Sequence, residues 1–197
     1  MKKINNSQHA YISTKAIVCS ALMAAISIVT ARLMSFAPPP VTRWSLDKFP
    51  LFLTGMFFGP VVGAMTGFIA DWLGSLMQYG FDFIYCIPPI VYGLAGGIFR
   101  RFLNKKTTPF RVAICYAVPV IFASWLWQSF AIAFKSSQGD AIWGTFLTFL
   151  GSRGIQFAII GPLEVMIMLI LLRTGMFTRM GLWPLPKKER EMKENDC

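Results

Sequence analysis

A chain of 197 residues that is 55% hydrophobic and only 14% charged, with a mean hydropathy of +0.54, carries more apolar side chain than a soluble domain of this size can bury. Its formal charge of +10 does not mark a nucleic-acid binder, because the basic residues sit between apolar runs. The cysteines, Cys19, Cys86, Cys115 and Cys197, form no CxxC pair, and the single histidine, His9, lies in a polar N-terminal stretch, so neither a zinc site nor a histidine-based triad is expected.

Apolar runs predict six membrane-spanning helices, over approximately 14–35, 49–62, 63–77, 83–99, 110–134 and 149–172. The expected architecture is an all-α integral membrane protein forming one domain: a cytoplasmic tail over 1–13, a six-transmembrane-helix bundle over 14–172 and a basic cytoplasmic tail over 173–197. The opening MKKINNSQHAYISTK has the basic start of a signal peptide, but no small-residue cleavage site and polar mature chain follow, so the first run reads as a retained helix. In LFLTGMFFGPVVGAMTGFIADWLGSLM, Gly59-Pro60 marks a turn or kink, and each half is short for a full crossing. A tight hairpin of short or tilted helices is expected there. Gly55, Gly59, Gly63 and Gly67 are spaced by four across it, and Gly93 and Gly97 repeat the spacing. Such positions let helices approach closely in lipid. Ala21 and Ala25 give the first span a flat face one helical turn long.

Charge placement sets the orientation. With the N-terminus in the cytoplasm, six spans leave 14 of the 19 basic residues inside: Lys2, Lys3 and Lys15, the group from Arg100 to Arg111, and the cluster from Arg173 to Lys193. Arg32, Arg43, Lys48, Lys135 and Arg153 remain outside, which the positive-inside rule favours. The C-terminal PLPKKEREMK reads as a solvated tail near anionic lipid.

Ionisable groups at membrane depth are the best pointers to function, since each is costly in hydrocarbon unless paired, hydrated or bound. Asp71 lies about 12 Å into the third span, near the midplane, suited either to an internal bond or to a substrate. Glu164 lies about 16 Å beyond Arg153 along the last helix, a depth that suits an internal polar bond or a coupling contact. Arg32, Arg43 and Arg153 either snorkel to the interface or converge above one outward vestibule, where guanidinium groups would hold ligand carboxylates bidentately. Trp72, Tyr79 and Tyr85 fall among many aromatic residues near the predicted outer ends. Interfacial anchoring and sandwiching of a flat heterocycle both suit them. Gln128 offers a donor and an acceptor to such a ring or to a neighbouring helix. GxxxxGK[ST], HExxH and GxSxG are absent, so uphill movement of a solute would draw on an ion gradient or separate ATPase subunits.

The stretch LTGMFFGPVVGAMTGFIADWLGSLM, the pair Ala21 and Ala25, the connection FAPPPVTRWSLDKFP and SRGIQFAIIGPLEV in the last helix resemble the S components of energy-coupling-factor vitamin transporters, most closely the folate-specific branch. The resemblance spans about the whole chain. It implies a six-helix bundle that captures a vitamin at the outer face of a bacterial cell membrane and docks on a transmembrane coupling subunit driven by two cytoplasmic ATPases, with Ala21 and Ala25 as the docking face. ATP is then used by the partners, no cofactor is bound covalently, and the chain is not itself an enzyme. Folate fits the residue inventory: Asp71 for the pterin edge, Trp72, Tyr79, Tyr85 and Gln128 for the flat rings, and Arg32, Arg43 and Arg153 for the glutamate carboxylates. An S component for riboflavin or thiamine, a membrane enzyme such as a lipid-head-group transferase, and a non-transporting scaffold are the alternatives.

The topology is open to single-cysteine labelling. Cysteines at positions 43 and 138 are expected to react with impermeant reagent from outside, and cysteines at either terminus or between Arg100 and Arg111 only from the cytoplasm. Labelling of position 43 solely from the cytoplasmic side would overturn the arrangement.

Overall fold

The computed structural model describes residues 14–33, 46–77, 80, 82–105, 108–136 and 142–183. They form the helices α1 (Thr14–Leu33), α2 (Lys48–Phe58), α3 (Pro60–Leu76), α4 (Phe83–Ile98), α5 (Arg100–Lys105), α6 (Pro109–Pro119), a π-helical stretch (Val120–Trp127), α7 (Gln128–Ser136), α8 (Ile142–Arg173) and α9 (Met176–Arg179). No strand occurs among the described residues. Three rods, Thr14–Arg32, Pro109–Ser136 and Ile142–Arg173, are long and apolar enough to cross a membrane, while Lys48–Phe58 and Phe83–Ile98 are shorter apolar helices.

Polarity is distributed as a lipid-embedded bundle requires. Large apolar side chains such as Val18, Phe122, Leu147 and Ile155 face outward, whereas Ser27, Thr54, Ser124, Arg153, Gln156 and Glu164 are buried. The alanine pair behaves like the lipid-facing residues: Ala21 and Ala25 lie exposed beside Leu22 and Ile26 on α1.

The break between the second and third apolar runs falls at Gly59-Pro60, as expected. Gly59 has φ 100°, a left-handed value suited to glycine, and Pro60 then opens α3, where a missing N–H costs nothing. α2 is apolar around its whole circumference and correspondingly enclosed, with Phe49 through Phe57 all buried. Backbone meets backbone where α2 and α3 cross α4. A Cβ on Gly55 or Gly63 would overlap the Gly93 carbonyl, and one on Gly97 would overlap Pro60. The four-residue glycine spacing is thus used for packing within this chain.

One proline elsewhere leaves a carbonyl that a side chain from another helix satisfies. Pro88 has no N–H to give the Ile84 carbonyl, which instead accepts from Trp127 Nε1 at 3.1 Å. Trp125 Nε1 likewise donates to the Leu150 carbonyl at 2.8 Å, so both indoles fasten the π-helical stretch to its neighbours.

At the opposite end of the bundle the chain does not leave as a tail at Arg173. It turns at Gly175 (φ 71°) and folds back, burying Phe177, Leu182 and Trp183. The Phe177 ring packs 4.6 Å from that of Phe57, and Lys15 Nζ donates to the Met180 carbonyl, tying this cap to the start of α1.

Gly93→Ala is expected to destabilise the bundle by about 1–3 kcal/mol through overpacking, whereas Gly151→Ala, where nothing lies within 4 Å, should be neutral or stabilising by up to about 1 kcal/mol. Thermal unfolding in detergent measures both. Equal melting temperatures for the two variants would contradict the close approach.

Candidate ligand-binding site

Because α2 is only eleven residues long, about 16 Å, it fills part of the bundle's length and leaves a space above its first turn. There a cavity of about 590 Å³ opens among the ends of α1 and α3, the beginning of α4, the length of α7 and the middle of α8. Its size lies within the range of small-molecule sites, about 300–1,000 Å³.

The entry into α2 forms one wall, held directly by α1 and α8 and, through Glu164, by α6. Ser27 of α1 donates through Oγ to the Asp47 carbonyl at 2.7 Å, and Lys48 Nζ meets Asp47 Oδ2 at 2.5 Å. From α8, Glu164 accepts the Lys48 backbone N–H at 3.3 Å and the Tyr116 hydroxyl of α6 at 2.6 Å. A carboxylate there satisfies an N–H that the first helical turn cannot bond internally. Tyr116 packs edge-on against Phe52, with ring centroids 5.2 Å apart, and lies 5.5 Å from Tyr92, whose hydroxyl pairs with Ser124 Oγ at 2.8 Å. The π-helical stretch thereby delivers Ser124 to the cavity wall.

The wall across from α2 carries Arg153, 7% exposed, whose Nη2 donates to Gln128 Oε1 at 2.9 Å and whose guanidinium lies 5.4 Å from the Phe157 ring. Its Nε is buried and has no hydrogen-bond partner among the described residues. Nearer the mouth, Lys135 of α7 forms an ion pair with Asp82 and lies 5.2 Å from the Tyr85 ring. Asp82 also caps α4, accepting the Ile84 N–H at 3.2 Å. Arg32 donates to the Gly74 carbonyl, and Asp71 lies 3.5 Å from Ser75 Oγ.

Five of the sequence-derived candidates, Arg32, Asp71, Tyr85, Gln128 and Arg153, thus line one cavity. Arg43 and Tyr79 lie outside the described residues. Trp72 does not join the site. It is 43% exposed and absent from the lining, since one residue along a helix is a rotation of about 100° away from Asp71. The expected vestibule of outward-facing arginines also changes: Arg153 is enclosed within the wall, and Arg32 reaches across to α3.

Lys48, Asp47, Asp82, Lys135 and Gln156 also line the cavity and were not singled out from sequence. A helical stripe was the available signal. Arg153, Gln156 and Glu164 share one face of α8, and Gln128, Ile132 and Lys135 share one face of α7, at spacings of three, four, seven and eleven. Together the cations, carboxylates, amides and rings suit a ligand with a flat polar ring and an anionic group.

A family model described as ECF-type riboflavin transporter, S component, matches residues 11–173. A folate transporter, FolT, of Clostridium novyi (strain NT) is 26% identical over 165 residues, covering 81% of this chain and 85% of that protein. A UPF0397 protein of Streptococcus gordonii is 31% identical over 105 residues, 53% of this chain and 55% of the relative, so that match spans about half the relative's length. A UPF0397 protein of Streptococcus pneumoniae serotype 19F (strain G54) is 23% identical over 175 residues, covering 85% and 93% of the two chains.

Removing the Glu164 carboxylate strands two donors. Glu164→Ala is expected to lower stability by about 1–3 kcal/mol for each of the Tyr116 hydroxyl and the Lys48 N–H, and Glu164→Gln, which keeps one acceptor oxygen, by less. Thermal unfolding of the two variants separates them. Equal losses would show that the bonds to Tyr116 and Lys48 do not carry the effect.

Proposed function

We propose that this chain, which belongs to the family of ECF-type riboflavin transporter S components, captures folate at the outer face of a bacterial membrane and delivers it inward as the substrate-specific subunit of an ATP-driven importer. One observation carries the choice of ligand: a guanidinium, Arg153, enclosed in the cavity wall with a neutral hydrogen-bond partner, Gln128, and an unused Nε. A buried cation calls for an anion, and folate brings two carboxylates whereas riboflavin brings none. The likeness to a protein named as a folate transporter, across 81% of this chain, supports the same ligand.

In this reading the glutamate carboxylates pair with Arg153 and draw Lys135 from Asp82, Tyr85 and Phe157 flank the rings, and Asp71 accepts from the 2-amino-4-oxo edge of the pterin. Arg32, bonded to the Gly74 carbonyl of α3, adds a further cation to the site. The bundle crosses the membrane six times with both termini in the cytoplasm. It docks on a coupling subunit through the exposed face of Ala21 and Ala25, and two cytoplasmic ATPases supply the energy. The family's name favours a second reading, riboflavin, with the same transport mechanism and a different vitamin.

Folates are expected to bind the isolated chain, and Arg153→Ala to weaken that binding by roughly 10- to 150-fold, the loss of a charge-assisted bidentate pair of about 1.5–3 kcal/mol. Pteroate, which keeps the rings and lacks the glutamate, should respond much less to the substitution. Calorimetric titration of folded variants measures both, and mass spectrometry of small molecules retained on the purified chain reads the vitamin directly. Retained riboflavin or thiamine would replace the vitamin and keep the transporter.

Ala21→Trp and Ala25→Trp are expected to leave folate affinity within about twofold, since both side chains face away from the cavity, and to abolish uptake by cells carrying the full transporter. Loss of binding together with uptake would make the face an internal packing surface.

A further inference from the structure

A second hollow, of about 420 Å³, lies between α6 with its π-helical continuation and α8. Its walls are apolar throughout, including Val120, Ile121, Phe157, Val165 and Leu169. It exists because both helices are narrow where they face each other: α6 presents Ala113 and Ala117, and α8 presents Gly161, where a Cβ would meet nothing within 4 Å, followed by Pro162. Two aromatic residues separate it from the ligand cavity. Phe157 borders both spaces, and Tyr116 turns its ring to the hollow while its hydroxyl is held by Glu164 on the cavity side.

The flanks of this hollow are the lipid-facing surface. Val118, Phe122, Ile159, Leu163 and Met166 around it are exposed. One end is marked by charge. Arg111 stands two residues before Ala113, and Arg173 stands four residues, about one turn, beyond Leu169, both at the end of the bundle away from the ligand cavity. Arg173 is exposed, and the Arg111 guanidinium lies 4.9 Å from the Phe102 ring.

We infer that this groove is a binding site for one anionic phospholipid, with an acyl chain in the hollow between α6 and α8 and the phosphate between Arg111 and Arg173. An apolar hollow open to hydrocarbon is filled by an acyl chain without loss of polar contacts, and the two arginines give the headgroup its sign. The chain tip then rests against Phe157, whose other side borders the ligand cavity below Arg153. The inference stands on the membrane embedding of the bundle and is independent of which vitamin the cavity takes.

Native mass spectrometry of the purified full chain, titrated with phosphatidylglycerol and phosphatidylcholine of identical acyl chains, tests it. The wild type is expected to retain one phosphatidylglycerol in preference to phosphatidylcholine. Arg111→Gln and Arg173→Gln should each reduce that preference about fivefold. Gly161→Leu, which fills the hollow, should reduce retention of both lipids. If Gly161→Leu fails to fold, Ala117→Leu fills the groove from the other wall and is read instead. Equal retention of the two lipids by the wild type, or undiminished retention by the filled variant, would overturn the assignment. Retention of neither lipid would also overturn it and leave the groove to a protein partner or a second copy of the chain.

Discussion

Contact between bare backbones of α2, α3 and α4 is the constraint on which the bundle rests. In hydrocarbon, apolar burial gives helices little reason to associate, and close dispersion contact takes its place. Gly55, Gly63, Gly93 and Gly97 supply it by presenting no side chain at the crossing points. With α4 seated directly on α2 and α3, Phe49 through Phe57 of α2 are all buried even though this helix spans only part of the bundle. That short, central helix is what leaves room for a ligand above it.

The cavity is accordingly lined by groups that also hold the fold together. Glu164 joins α8 to α6 and to the first turn of α2, Asp82 caps α4 and receives Lys135, and Ser27 fastens α1 to the entry of α2. These pairs lie at different depths. Lys135 with Asp82 is a partly exposed ion pair near the mouth, of the kind that contributes little to stability in isolation. Tyr116 with Glu164 is buried, and losing it leaves a donor in a dry interior. A loosely held mouth and a rigid base thus follow from the same polar inventory placed at different depths.

Much of this architecture is legible in the sequence because lipid imposes one dominant rule, the apolar run, and because glycine spacing reports close packing without any knowledge of the partner helix. The hairpin at Gly59-Pro60 follows from local chemistry alone, and Asp71, Gln128 and Arg153 are conspicuous because polar groups at membrane depth are costly. Rotational position and long-range closure are harder to see. Trp72 is adjacent to Asp71 in sequence but points elsewhere on the helix, and Arg32 finds the Gly74 carbonyl across a distance that no local pattern encodes. Lys135 reads as a flank charge until the stripe on α7 is aligned with that of α8, and Lys48 until the entry into α2 is known to form a wall of the cavity. The return of Phe177 and Trp183 onto Phe57 is hidden for a related reason, since a short apolar cluster among basic residues resembles a solvated tail until the exposed ring it covers is known.

The glycine joint is local in sequence. α2, α3 and α4 follow one another between Lys48 and Ile98, so their crossing forms with short chain closures, and the ordering cost of bringing them together is small. The helices that bring Gln128, Arg153 and Glu164 come later in the chain and close over a surface already in place. During synthesis the helices that bring these three cavity-lining residues are therefore the last to be assembled, and a nascent chain halted after Ile98 already holds the scaffold but none of the three.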